Sequence, residues 1–164
     1  MVDSNNSRQS TNEVVVEQLT MPGLPFTPRE VQAAHDDVLE IVLETEWQAL
    51  GLHPTGDFPN AWCSATSYSI GRLLLHRQLG EWRIAATSNH DWLEYVDSGD
   101  VIFSVDATQH QFPEYKTAWI GMGPPPRAEL HPAKQWAVCG REPQWWPKKA
   151  ELVVSAEVMR RLAA

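Results

Sequence analysis

The 164-residue chain holds only two cysteines, Cys63 and Cys139, and neither belongs to a CxxC pair. That is too few for a disulfide framework and disfavours structural zinc, so each thiol is judged alone. Basic residues are also scarce: 13 stand against 21 acidic ones, for a net charge of −8, and the longest Lys/Arg clusters are the pairs Lys148-Lys149 and Arg160-Arg161. Nucleic acid and anionic membrane surfaces are therefore poor partners. No stretch approaches the ~20 apolar residues of a membrane span, and the opening MVDSNNSRQSTNE lacks the basic start and apolar run of a signal peptide. These absences point to a cytoplasmic protein, or to one secreted by a route independent of a signal peptide. There is no internal repeat, no acidic Ca²⁺ loop and no HxH or HExxH pair. No cofactor and no metal are expected.

What is present suits one domain with a real core. Residues 1–13, rich in Ser, Asn and Gln and without apolar periodicity, read as a disordered tail, leaving 14–164 for a single domain. Thr27-Pro28-Arg29-Glu30 combines an N-cap, a proline at the first helical position and the glutamate of a capping box. The spacing of Val31, Ala34, Val38, Ile41, Val42 and Trp47 predicts a scaffold helix stopping at Gly51, with His35-Asp36-Asp37 on its solvent side. A second helix is predicted from Cys63 to Gly80. Strand-like runs follow at Glu81 to Thr87, Asp91 to Asp97, Val101 to Val105 and Lys116 to Met122, and a short helix is predicted from Ser155. Residues 128–150 give no clear pattern. Helices first and an antiparallel sheet after them make an α+β fold.

The chemistry centres on three residues. Cys63 opens a helix, where unpaired backbone N–H groups and the positive end of the macrodipole favour thiolate over thiol and can hold a developing oxyanion. His90 begins one strand of a hairpin and Asp106 ends the other, so the turn at Ser98-Gly99-Asp100 brings position 90 roughly across from position 107. A carboxylate beside an imidazole fixes its tautomer and supports the imidazolium, leaving the other ring nitrogen to take a thiol proton. Taken singly, a free cysteine is usually a small buried hydrophobe, and the histidine and aspartate a solvated polar residue and a turn former. Their conjunction carries the functional reading.

Cys63, then His90-Asp91-Trp92-Leu93-Glu94, then Val105-Asp106-Ala107-Thr108 resembles the Cys, H-x-W-x-E and D-x-T order of the transglutaminase-like branch of papain-like cysteine enzymes. The likeness spans about Asn60 to Thr108, with 27 residues from Cys63 to His90 and 16 from His90 to Asp106. It implies a papain-like core with the nucleophile helix packed on an antiparallel sheet, Cys63 as nucleophile, His90 as general base and acid, and Asp106 as the orienting carboxylate. Asn60, Trp62, Trp92 and Gln109 are candidates for binding substrate or completing the oxyanion hole, with Trp47 and Gln48 further upstream. The expected activity is a cysteine-dependent hydrolase or acyltransferase working through a thioester on a protein, peptide or small amide substrate: a protease, a deamidase or an amide-forming enzyme. Two rivals stand beside it. One is a non-catalytic peptide-binding module on the same fold, using the Trp145-Trp146 region as its groove; the other is a small metalloprotein built on Cys63, His90 and His110.

Overall fold

The computed structural model describes residues 22–163, so the expected tail at 1–13 lies outside the described residues. Helix α1, Pro28–Glu44, starts on the capping box: the Thr27 hydroxyl accepts from the Glu30 N–H, and Glu30 Oε2 accepts from the Thr27 N–H at 2.7 Å. It ends before the expected Gly51. Thr45 closes it, a 3₁₀ turn at Trp47–Leu50 follows, and Gly51 closes that turn in the left-handed region. Trp47 causes the break by folding back, its indole N–H donating to the Val42 carbonyl at 2.9 Å. His35 corrects the expected solvent side: it is buried, because it lies on the 31, 34, 35, 38, 41, 42 stripe that faces the core.

Helix α2, Cys63–His76, is the central element and packs against α1, the sheet and α4. Its inner face buries Ala65, Ile70, Leu73 and Leu74, and each large aliphatic side chain removed from water stabilises by roughly 1.5–3 kcal/mol. Gly71 lets the sheet come close, since a Cβ there would run into the Cys139 sulfur and Leu93 Cδ1. In the same core, Phe26, Trp82, Tyr95 and Phe103 pack in tilted and edge-on contacts with centroids 5.0–6.3 Å apart.

Five strands form one antiparallel sheet: β1 Arg83–Ala86, β2 Asp91–Asp97, β3 Asp100–Asp106, β4 Trp119–Met122 and β5 Gln135–Val138, in the order β4-β3-β2-β1-β5. The β2–β3 turn has Ser98 and Gly99 at φ of 52° and 85°, the left-handed pair that suits a two-residue hairpin. A short α3, Pro126–Leu130, and edge strand β5 occupy the stretch where no pattern was legible. The last helix, α4, runs Lys149–Leu162 and starts six residues before the expected Ser155. Lys148 stands at its N-cap without a side-chain cap bond, so the true start lacks the usual mark. Among the described residues the fold is thus α+β, a five-stranded antiparallel sheet with four helices.

Candidate active site

The hairpin register decides whether His90 and Asp106 can meet. Near the turn, Asp97 pairs with Asp100 and Val96 with Val101; beyond a bulge between Tyr95 and Val96, Leu93 pairs with Val105. The bulge slips the register by one, so by continuation position 90 lies across from position 108 rather than from 107. Asp106 then lies diagonally from His90 on the same face. Without the bulge the two would point to opposite faces, because side chains alternate with period two.

The outcome is a direct pair. His90 Nε2 is 2.7 Å from Asp106 Oδ2, and both side chains are fully buried. Asp106 Oδ1 also accepts from the Thr108 N–H at 3.3 Å, which fixes the carboxylate plane. The Cys63 thiol lies close enough to the imidazole to raise its proton affinity. Since Nε2 is committed to Asp106, Nδ1 is the nitrogen left for the thiol. Burial alone pushes the His90 imidazole down, but the hydrogen bonds to Asp106 and Cys63 and the charges of both outweigh it, and the ring is pushed up from 6.5 to about 9. The site therefore favours the imidazolium at neutral pH.

Cys63 is half-buried at the first position of α2, and Trp62, its N-cap, makes no side-chain cap bond. The first intrahelical bond from a backbone N–H runs from Thr66 to the Trp62 carbonyl at 3.0 Å. The N–H groups ahead of it are those an oxyanion beside Cys63 would meet. Ala61, at φ of 62°, turns the loop into the helix.

The other expected residues fall into different places. Trp62 is buried against Trp47 at 5.7 Å, and its indole N–H donates to the Gly56 carbonyl at 3.0 Å, so that donor is already used. Asn60 is exposed in the turn before α2, with its backbone N–H on the Asp57 carbonyl. Trp92 is fully buried 6.0 Å from His90 and donates to Glu94 Oε1, while Glu94 Oε2 is paired with Arg83 directly across the sheet. Trp92 and Glu94 thus form a support beneath the imidazole. Gln109 is buried with its amide N–H on the Thr117 carbonyl, and its Oε1 has no partner among the described residues. Upstream, Trp47 is buried and Gln48 exposed, both away from His90 on a separate groove.

Three residues that sequence reasoning did not assign complete the surroundings. Gln111 Nε2 lies 3.0 Å from His90 Nδ1 and 3.3 Å from the Thr108 hydroxyl. Phe112 meets the imidazole edge-on at 4.9 Å, and the buried Arg127 guanidinium covers that ring at 3.3 Å from its centroid. Only Gln111 had a signal, the polar run Thr108-Gln109-His110-Gln111 just past Asp106. His110 turns instead toward Phe58, at 5.6 Å, and burial lowers its proton affinity. Among the described residues no three His, Cys, Asp or Glu side chains gather as a metal site would need, and no helix is long and apolar enough to cross a membrane. The chain matches no protein-family model, no curated protein and no solved structure.

Proposed function

We propose that the protein is a cysteine-dependent hydrolase or acyltransferase acting on amide or peptide bonds through a thioester, on a papain-like core of the transglutaminase-like kind. The observation that carries this reading is the fully buried His90–Asp106 pair at 2.7 Å, with Cys63 near enough to the imidazole to raise its proton affinity. A buried charged pair of this kind is expensive unless it serves something, and perturbed groups of complementary type cluster at reactive sites. The order of a helix-borne cysteine, a strand-borne histidine and a neighbouring strand-borne aspartate adds the resemblance to that superfamily.

In the proposed cycle the Cys63 thiolate attacks the carbonyl carbon, and the electron pair of the C=O bond moves to an oxyanion held by backbone N–H groups at the start of α2. Collapse of this intermediate breaks the C–N bond, while the His90 imidazolium gives its Nδ1 proton to the leaving amine. A water or a second amine then approaches the thioester and loses its proton to Nδ1 as it attacks. The thiolate leaves, and the imidazolium–thiolate pair is restored. Asp106 holds the ring and balances its charge throughout.

The test is alkylation of Cys63 by iodoacetamide at mildly acidic pH, followed by mass spectrometry of the intact protein. The reading requires stoichiometric labelling that is lost in His90→Ala; equal labelling of the two proteins refutes it. One observation favours the rival peptide-binding module: the Gln111 amide sits on the nitrogen that the thiol needs. Turned over, the same amide would present its oxygen to a protonated Nδ1 and to the Thr108 hydroxyl, which fits the catalytic form equally well.

A further inference from the structure

Arg127 is the only buried arginine among the described residues, and it is the one without a polar partner. Arg72, Arg77, Arg83, Arg141, Arg160 and Arg161, all more exposed, each meet a carboxylate. Arg127 is 8% exposed, yet among the described residues its guanidinium makes no ion pair and no hydrogen bond. The acids nearest to it along the chain, Glu114 and Glu129, are exposed and leave it unpaired, and Asp106 is committed to His90. A cation held mostly out of water without an acceptor is costly, and the face of Phe112 beneath it recovers only part of that cost.

The guanidinium is nevertheless reachable. The sealed side-chain nitrogens and oxygens that lack a partner belong to His35, Gln109, His110 and Glu151, and none belongs to Arg127. Its nitrogens therefore touch solvent, although the side chain as a whole is enclosed. Its place is also fixed relative to the reacting pair. Gly123 donates to the Ile102 carbonyl at 2.9 Å and accepts from the Ser104 hydroxyl at 2.6 Å, which fastens the segment leading into α3 onto β3, the strand that ends at Asp106. Pro125 and Pro126 then start α3, and Arg127 lies over the Phe112 ring at 3.3 Å from its centroid. That ring meets the His90 imidazole edge-on at 4.9 Å, so guanidinium and imidazole are separated by no more than these two contacts laid end to end.

We propose that Arg127 is a carboxylate-binding residue of the substrate site: the amide processed by Cys63, His90 and Asp106 carries a free carboxylate, seated on the guanidinium fork beside Phe112. The planar fork matches two oxygens of one carboxylate. One guanidinium also balances the single charge of such a group, whereas a phosphate would bring up to twice that charge to a chain already at −8. The inference deepens the proposed reaction and rests on it for calling the ligand a substrate; the binding itself needs no turnover.

The experiment uses the full chain carrying Cys63→Ser, titrated by calorimetry with three probes. N-acetyl-alanyl-glycine ends in a free carboxylate, its C-terminal amide has none, and N-acetyl-alanyl-glutamate α-amide has one on the side chain alone. At least one acid should bind about tenfold more tightly than the neutral amide, the weight of one charge-assisted contact. Tighter binding of the first acid identifies a chain end as the source, and tighter binding of the last identifies an acidic side chain. Adding Arg127→Met should abolish the preference for acid over amide; because both probes are compared in one protein, a loosened Phe112 would affect them alike. Equal binding of acids and amide, no binding of either acid at millimolar concentration, or a preference that survives in folded Arg127→Met overturns the proposal. If that variant fails to fold, Arg127→Lys decides, since it keeps the charge without the fork: the preference should fall several-fold, and an unchanged one overturns the proposal. An inert Cys63 with the acid preference intact would refute the reaction and keep the anion site, and a reactive Cys63 without the preference would do the reverse.

Discussion

Replacing Asp106 by asparagine keeps the volume of the buried side chain and removes its charge. The rise of the His90 imidazole from 6.5 to about 9 is worth about 3 kcal/mol of preference for the charged ring, and the Asp106 hydrogen bond is the largest of its raising causes. Burial opposes the charged form and stays in place in the variant. The imidazole should then titrate near or below 6.5, and at pH 7.5 the charged fraction should fall roughly tenfold, from nearly complete to about a tenth. Asparagine can also turn its N–H toward Nε2, which places the ring proton on Nδ1 and leaves the thiol no base; loss of tautomer control of this kind costs about 10⁴ in turnover. The assay is the rate of iodoacetamide alkylation of Cys63 against pH, with His90 followed by NMR in the same samples. The variant should lose the labelling at mildly acidic pH that the parent shows, and the imidazole titration should move down by more than about one pH unit. An Asp106→Asn protein that keeps both the titration near 9 and the acid-side labelling would refute the role given to the carboxylate. Cys139 is a poor internal comparator for this rate. It is fully buried and its thiol is pushed up to about 12 by burial and the Glu142 charge, so it stays inert whatever Cys63 does. A small free thiol is the better reference.

The raised His90 also predicts a pH-dependent fold. Its stabilisation is fully present below about 6.5 and is lost as pH rises through about 9, so the unfolding free energy from denaturant titrations should fall across that window by up to about 3 kcal/mol, and the slope should vanish in His90→Ala. Gln111→Ala should speed Cys63 alkylation several-fold by freeing Nδ1, and a slower rate would show that the amide assists the thiol rather than competing with it. Gly71→Ala forces a methyl group into the Cys139 sulfur and Leu93, and should cost about 1–3 kcal/mol in thermal unfolding. Adding Cys139→Ala should recover part of that loss, and strict additivity of the two changes would contradict the overpacking explanation.

Much of this architecture was legible because it rests on local rules. The Thr27–Glu30 capping box, the apolar stripe of α1, the Ser98-Gly99 turn and the alternating strands of the hairpin each carry their signal within a few residues. Residues 128–150 carried none, because β5 is an edge strand four residues long whose outer side chains face solvent and whose pairing partner β1 lies some fifty residues upstream. The start of α4 was invisible for want of a cap at Lys148, and Ser155, which looks like one, sits in mid-helix with its hydroxyl on the Leu152 carbonyl. At the site, residue types and order pointed to Cys63, His90 and Asp106. Gln111 and Phe112 reach the imidazole only through a 3₁₀ turn, and Arg127, on a separate short helix, covers the Phe112 ring. No spacing rule joins them.

The least legible feature is the one on which the pair depends. A two-residue turn between Asp97 and Asp100 sets an odd parity, under which His90 and Asp106 leave opposite faces of the hairpin, one toward α2 and one away. The bulge between Tyr95 and Val96 restores even parity for every pair beyond it. Its position is tied to packing: Tyr95 carries its ring into the Phe26 and Trp82 cluster, while Val96, one residue on, is already paired in the turn register. Once the register has slipped, Leu93 and Tyr95 fall opposite Val105 and Phe103 on one face, while Glu94 falls opposite Ser104 on the face shared by Trp92 and Asp106. The same slip that lets the hydrophobic core close therefore brings the carboxylate to the imidazole. Core packing and the geometry of the His90–Asp106 pair are satisfied by a single extra residue, and a change that removed the bulge would have to break both.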